Sequence, residues 1–336
     1  MTRVHVYATA DGFAALAGQW NALLQRSAAD TLFLTHEWQS VWWRELGDGE
    51  LRILAICDDD GALIGLAPLF FALGPSGTVE VALVGCKEVS DYLDFICARG
   101  HEPACLRAVV DFLKSSDAPA WQSLALCNIV ETSPTLALLP EMLRAEGWHP
   151  QVAFEDTCPR IALPESFDAY LASLDGKERR ELQRKLRRAS EEVAITFTTE
   201  AHALARDVDD FIALMKASAP EKAAFMTPRM ARFFHAIAQA MFDVGRLQLA
   251  FLEVAGARAA AYMNFLYNDA VLVYNSGLDP TRYAYLSPGQ VLIARLIEKA
   301  ILDGRRVFDF LQGNEEYKYK LGGKDVSLYT LSAQRG

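Results

Sequence analysis

The sequence predicts an α/β protein made of two mixed α+β units, and three observations carry that prediction. Its 336 residues exceed what one hydrophobic core usually organises. Helical and strand periodicities follow the same order in each half: helices, an antiparallel meander with short polar turns, a helix, a strand and a last β element. Only the order and type repeat, not the residues. The change from one half to the other falls near residues 156–159, which gives units of 1–156 and 157–336.

In the first half, Val4 and Val6 mark a strand, and Asp11 stands where it can cap a helix carrying Phe13, Leu16, Trp20, Leu23 and Leu24 on one face. Thr35 opens a second helix with Trp38, Val41, Trp42 and Leu46 on one side. Residues 51–57 and 63–71 read as strands joined by the hairpin turn Asp58-Asp-Asp-Gly61. Residues 79–84 form a third strand, and in 90–95 polar residues interrupt an apolar run. A helix at 106–113, a strand at 123–127, a helix at 136–146 ended by Gly147 and a closing strand at 149–154 complete the half.

The second half begins with a strand at 160–163, a helix at 167–174, a basic helix at 177–192 and a strand at 193–198. Helices at 203–218 and 228–244 follow, the latter opened by Thr227-Pro228, a cap followed by proline at the first helical position. Strands at 247–254, 259–267 and 270–276 form the meander. Ser287-Pro-Gly289 then leads into a helix ending at 302, followed by a strand at 307–311, a lysine- and tyrosine-rich helical turn, and a last alternating strand at 326–331.

Composition narrows the function classes. Half the residues are apolar, about a quarter are charged, and the formal charge is −10. That balance fits a globular protein and argues against DNA binding by the whole surface. The six cysteines form no CxxC or CxH pair, so buried thiols in a reducing compartment are expected, with no zinc or other metal site. The first residues show no signal-peptide hydrophobic region, and no apolar run reaches membrane-spanning length. The expected location is the cytoplasm. The six histidines are scattered without ligand or triad spacing, which removes metal and serine hydrolases.

Several short motifs recur together in one known group. In the first half they are Phe33-Leu-Thr-His-Glu-Trp38, Leu63-Ile-Gly-Leu-Ala-Pro-Leu69 and Ser90-Asp-Tyr-Leu-Asp94. In the second they are Tyr274-Asn-Ser-Gly-Leu-Asp-Pro280, Ser287-Pro-Gly289 and Phe308-Asp-Phe-Leu-Gln-Gly-Asn-Glu-Glu-Tyr-Lys318. With this element order, the chain resembles tandem acyltransferases of the GNAT superfamily, arranged as in FemABX-like proteins and most similar to the CelD/BioF2-like acetyltransferases. The resemblance covers nearly the whole chain. It implies two GNAT-like domains sharing a central cleft, with acyl transfer from a thioester (acetyl-CoA, another acyl-CoA or an acyl carrier protein) to an amine. An amino sugar or an envelope or exopolysaccharide precursor would be the acceptor. Two alternatives stay open: a Fem-like transferase using aminoacyl-tRNA, and a non-catalytic binding module of polysaccharide biosynthesis.

The resemblance also implies roles. Asn275 and Ser276 fall on the superfamily's fourth strand, whose splayed backbone contacts the acyl and pantetheine portions; otherwise they are a polar strand end. Ser287 and Gly289 stand where the pyrophosphate loop lies, although one glycine and a proline depart from the usual pattern; otherwise Ser287 caps the helix above Pro288. Tyr317 matches the tyrosine that protonates the leaving thiolate. Lys318 matches the lysine of a Fem-type pattern and would stabilise a phosphate or developing oxyanion, with Glu315 as base or as the group orienting it; otherwise the stretch is a charged, exposed helix with Glu–Lys pairs at i,i+3 and i,i+4, and Lys320 belongs to the surface.

From the residues themselves, Asp91 and Asp94 at i,i+3 form a general-base or cation-binding pair beside Tyr92, or else turn residues. Trp38 and Trp42 line the cleft or fill the core. The segment from Lys177 to Arg188 is the one dense basic run, with Arg180 and Arg184 on neighbouring turns. It suits phosphates of coenzyme A, a nucleotide-sugar, a lipid headgroup, an acyl carrier protein or tRNA, or forms a solvated face.

Overall fold

The computed structural model describes residues 2–74, 76–86 and 89–335. The chain divides into two compact units, Met1–Asp156 with Ser327–Gly336, and Thr157–Val326. The first half of the chain runs β1 (Arg3–Tyr7), α1 (Asp11–Leu24), α2 (His36–Leu46), β2 (Glu50–Cys57), β3 (Leu63–Leu73), β4 (Val79–Leu83), β5 (Ile96–Cys97), α3 (Glu102–Lys114), β6 (Ser123–Val130), α4 (Pro134–Ala145) and β7 (His149–Thr157). The second runs β8 (Arg160–Ala162), α5 (Phe167–Ser173), α6 (Gly176–Ala189), β9 (Val193–Phe197), α7 (Ala201–Ser218), α8 (Pro220–Phe225), α9 (Pro228–Asp243), β10 (Leu247–Val254), β11 (Ala257–Tyr267), β12 (Ala270–Leu278), α10 (Pro288–Leu302), β13 (Val307–Asp309), α11 (Glu316–Lys320) and β14 (Ser327–Gln334).

Local chemistry sets the helix ends. Thr35 Oγ1 accepts the Trp38 N–H at 3.3 Å, and Thr227 Oγ1 accepts the Met230 N–H at 3.2 Å. Asp11 is the first residue of α1 rather than its cap, because Ala10 holds the capping position. Gly147 follows α4 with φ of 80°, a left-handed turn that glycine adopts without cost.

Both sheets are mixed. The first has the order β1-β2-β3-β4-β6-β14-β7, with β5 paired to β3; the second is β8-β13-β12-β11-β10-β9. In each, a three-strand meander is followed by a helix and a parallel strand: β4 with β6 after α3, and β12 with β13 after α10. A parallel neighbour requires such a crossover, since two residues cannot return the chain to the same end of the sheet. The C-terminal strand departs from the expected 157–336 unit. β14 pairs antiparallel with β6 in the first sheet, while β8 occupies the matching place beside β13 in the second. Alternation in sequence identifies a strand but not the edge it joins.

In the second unit, alternate residues of β10–β12 serve opposite faces. Leu252, Ala260, Val271 and Val273 pack with Val291, Leu292, Leu296 and Ile297 of α10. The other face meets α7 and α9, where Phe234 approaches Tyr274 at 5.7 Å between ring centroids. Each fully buried aliphatic or aromatic side chain here contributes about 1.5–3 kcal/mol. α10 is buried almost all round, so its N-terminus is held firmly against the sheet.

The cysteines also differ from expectation. Cys86 and Cys127, 41 positions apart, are joined as a disulfide with Cα atoms 5.8 Å apart; Cys57, Cys97, Cys105 and Cys158 are free. Pairing over that separation leaves no spacing signal in the sequence.

Candidate active site

The site of the second unit begins where two parallel strands part. β12 pairs with β13 only over Ala270↔Val307, Val271↔Phe308 and Leu272↔Asp309, although β12 continues to Leu278. Beyond Asp309 the chain turns to the β8 side: the Phe310 N–H donates to Pro159 O at 2.9 Å, and the Gly313 N–H to Thr157 O at 2.9 Å. Side chains fix this departure. Buried Asp309 accepts the Leu311 N–H at 2.8 Å and pairs with Arg160 at 2.7 Å, holding Leu311 at φ of 57°.

Lys318 completes the turn. The residue is 2 % exposed, and its ammonium donates to the carbonyls of Leu311 (3.1 Å), Gln312 (2.8 Å) and Gly313 (3.0 Å) and lies 2.9 Å from Glu315 Oε2. An ammonium has three hydrogens, and three carbonyls already receive them. Lys318 therefore holds the loop that parts β13 from β12, in place of the expected contact with phosphate or oxyanion. Glu315, mostly exposed, is its counter-ion.

β12 is bulged opposite Met263 and Asn264, so Tyr274 is an extra residue between Val273 and Asn275. The bulge reverses the facing of every later residue of the strand. Ser276 and Leu278 come onto the α10 face beside Tyr262 and Ala260, whereas Asn275 and Gly277 turn to the α7 face. Asn275 is thus removed from the predicted cofactor contact. The Asp279 N–H bonds to Ala259 O at 2.9 Å, which fixes the phase of the ladder. By its alternation the backbone N–H and C=O of Ser276 and Leu278 point away from β11, into the gap β13 has left. Gly277 permits the close packing behind: a Cβ there would stand 2.2 Å from Met215 N of α7.

A cleft of about 440 Å³ opens at this gap, lined by Tyr262, Ser276, Leu278, Ser287, Gly289 and Tyr317 among others. Ser287 stands at the N-cap position of α10 but does not cap with its hydroxyl. Its backbone is left-handed (φ 52°), and its carbonyl receives the N–H groups of Gln290 and Val291, each at 3.0 Å. A Cβ on Gly289 would meet Leu278 at 3.1 Å, so glycine lets the helix start approach the strand. That start presents a positive dipole end to the cleft.

Tyr317 packs its ring edge-on to Phe310 at 6.1 Å, and burial, then the charges of Tyr262 and Glu315, raise its hydroxyl well above the ordinary phenol range. Burial also raises Tyr262, against a hydrogen bond with Ser276. The sequence reading missed Lys222, which lies on the short helix α8 between the two longer helices it recognised. Lys222 Nζ donates to Ser276 O at 2.7 Å and lies 3.4 Å from Ser276 Oγ. Burial pulls it below the usual lysine range, opposed by Glu315 and Glu221. No local pattern marks it; only the fold brings α8 to the edge of β12.

An adjoining cleft of about 490 Å³ shares Lys185, Gln290 and Tyr317 with the first and is walled by Lys177, Glu178, Arg180, Glu181, Arg184 and Lys320. Arg184 grips Glu181 at 2.7 and 2.8 Å, and Lys185 lies 3.1 Å away from it; Arg184, then Lys185, holds that carboxyl down to about 2. Arg180 makes no ion pair among the described residues. Part of the predicted basic face is thus neutralised within its own helix.

The remaining candidates belong to the first unit. Trp38 is fully buried, donating its Nε1 to Ser90 Oγ at 2.9 Å against Phe33, and Trp42 packs on Phe70. Both are core, as a tryptophan stripe at helical spacing allows. Tyr92 is buried and accepts Thr31 Oγ1 at its carbonyl (3.3 Å). Asp91 is half-exposed. Asp94, 5 % exposed, accepts Ser133 Oγ, Thr135 Oγ1 and the Phe95 N–H (2.8 Å); burial nonetheless pushes it up to about 6. Its two oxygens are committed within its own unit, beside a cavity of only about 50 Å³.

Among the described residues no helix is long and apolar enough to cross a membrane, and no cluster of three or more His, Cys, Asp or Glu is placed to hold a metal ion. Residues 176–319 match the acetyltransferase (GNAT) domain family. The fold is similar to that of FemX, with a TM-score of 0.67 at 12 % identity over 97 % of this chain and 96 % of that one. A protein of unknown function from Bacteroides thetaiotaomicron VPI-5482 gives 0.63 at 13 % identity, over 99 % and 100 %. The C-terminal domain of a putative lysylphosphatidylglycerol synthetase from Agrobacterium fabrum gives 0.58 at 10 %, over 96 % and 92 %. No curated protein sequence matches the chain. The fold is thus like that of FemX, with two mixed sheets, and the GNAT domain model matches within the second unit.

Proposed function

We propose that this chain, whose residues 176–319 belong to the GNAT acetyltransferase family, is an N-acyltransferase that moves an acyl group from a thioester to an amine. The observation that carries the reading is the gap between β12 and β13. It exposes the Ser276 amide edge beside the start of α10, with a largely buried tyrosine opposite. An acyl thioester laid along β12 would direct its carbonyl oxygen to the Ser276 N–H, a preorganised donor for the oxyanion. The diphosphate of an acyl-CoA suits the N-terminus of α10 at Ser287 and Gly289. Once the amine attacks, the N–C bond forms and the C–S bond breaks. Tyr317, kept neutral by burial, supplies the thiolate's proton.

The acceptor is a small-molecule amine, such as an amino sugar or an envelope precursor. The donor is acyl-CoA or an acyl carrier protein, the latter docking on α6 through Arg180 and Arg184. Purified protein should release thiol from acetyl-CoA, longer acyl-CoAs or acyl-carrier thioesters in an amine panel; no release with any pair would end this reading. Arg180, without an acidic partner among the described residues, also favours a second reading, aminoacyl transfer from charged tRNA. Charge reversal at Arg180, Arg184 and Arg187 should then abolish tRNA retention on a filter, and unchanged retention would exclude it.

A further inference from the structure

Acyl transfer needs a group to receive the proton the amine gives up, and two of the carboxylates singled out in the sequence are engaged elsewhere. Glu315 is the counter-ion of Lys318, and Asp94 is closed off by Ser133, Thr135 and Phe95. A different group stands at the open edge of β12. We propose that Lys222 is the general base of this site, its Nζ taking the proton of the attacking amine while Ser276 orients it. The inference rests on the acyl-transfer reading above.

Three features support it. First, Nζ is placed by two acceptors on one residue, Ser276 O at 2.7 Å and Ser276 Oγ at 3.4 Å. A neutral amine has two hydrogens and a lone pair. With both hydrogens directed to Ser276, the lone pair is left for a third direction, and no other partner of Nζ exists among the described residues. Second, that carbonyl belongs to the β12 edge facing away from β11, so the base lies on the edge whose N–H would hold the acyl oxygen. Third, its electrostatics are mixed. Glu221 on the same helix and Glu315 ahead of α11 favour the ammonium, but burial outweighs them and enlarges the neutral fraction. Tyr262 and Tyr317 are the other titratable groups of this cluster, and burial keeps both protonated.

The step balances. The amine nitrogen bonds to the acyl carbon, the C–S bond breaks, Lys222 accepts one proton from nitrogen, and the thiolate takes one from Tyr317. Exchange with water returns Lys222 and Tyr317 to their starting states, leaving an amide and a free thiol.

The test is the pH dependence of thiol release. Wild-type kcat/KM should rise with pH through a midpoint below the ordinary lysine value of about 10.4. In Lys222→Gln, which keeps a hydrogen-bond donor but no base, kcat should fall about 10²–10⁴-fold, with thioester KM unchanged and that limb gone. Lys222→Arg keeps the charge and the donors and should fall equally. An arginine variant with restored rate, or a glutamine variant retaining the limb, would overturn the proposal. A ¹⁵N resonance titration of Nζ in the wild-type protein gives an independent reading, and a midpoint at or above about 10.4 would also overturn it. If the wild-type protein transfers no acyl group, the transfer reading itself fails. If it transfers and Lys222→Gln matches it, only the assignment of Lys222 fails.

Discussion

Replacing Lys318 with methionine removes the ammonium but keeps a chain of similar length in the same pocket. Three carbonyls lose a charged donor, at 3.1, 2.8 and 3.0 Å, and Glu315 loses its partner at 2.9 Å. At about 1.5–3 kcal/mol for each hydrogen bond to a charged group, the simple sum is about 4.5–9 kcal/mol. Gln312 and Gly313 are half-exposed and regain water, while the Leu311 carbonyl is left buried. The net loss is therefore about 3–5 kcal/mol, the range found when one partner of a buried pair is deleted. The assay must see the right unit. All six tryptophans (Trp20, Trp38, Trp42, Trp43, Trp121 and Trp148) lie in the first unit, so their fluorescence does not report this loss. Hydrogen exchange of residues 307–321 in rising denaturant does, without assuming that both units unfold together. Protection there should fall in Lys318→Met while tryptophan fluorescence is unchanged. Unchanged protection with catalysis reduced more than about 100-fold would refute the structural role and return Lys318 to the chemistry.

Tyr317→Phe keeps the packing on Phe310 but removes the acid, so kcat for thiol release should drop about 100-fold or more with thioester KM preserved; an unchanged kcat would exclude it as proton donor. Gly277→Ala drives a methyl against the α7 backbone, 2.2 Å from Met215 N, and should cost about 1–3 kcal/mol. Weaker acyl-donor binding, measured by calorimetry, should accompany that loss. Burial raises Asp94 from 3.8 to about 6 in the folded protein, so the neutral form favours folding. That stability is complete below about pH 4 and is lost as pH rises through about 6, a change of about 3 kcal/mol. Asp94→Asn should lack this slope, and tryptophan fluorescence is the suitable probe because Asp94 lies in the tryptophan-bearing unit; parallel curves for variant and wild type would count against it.

The sequence by itself determined the elements and much of their order. Thr35 and Thr227 declare helix starts through the hydroxyl each offers the first turn, Gly147 declares an end, and Asp58 to Gly61 declares a hairpin. Such signals act within a few residues, where the chain's own geometry enforces them. Tyr317, Ser287 and Gly289 came from the family resemblance rather than from local chemistry, and all three line one cleft of the second unit. Tertiary structure alone decided the rest, since burial and strand partnership are set by residues far apart in the chain. It carried β14 into the first sheet and turned Asn275 away from the cleft by one bulged residue. It wrapped Lys318 in carbonyls that a charged helix face gives no hint of. It brought Lys222, on a helix too short to announce itself, to the backbone of a strand 54 positions away.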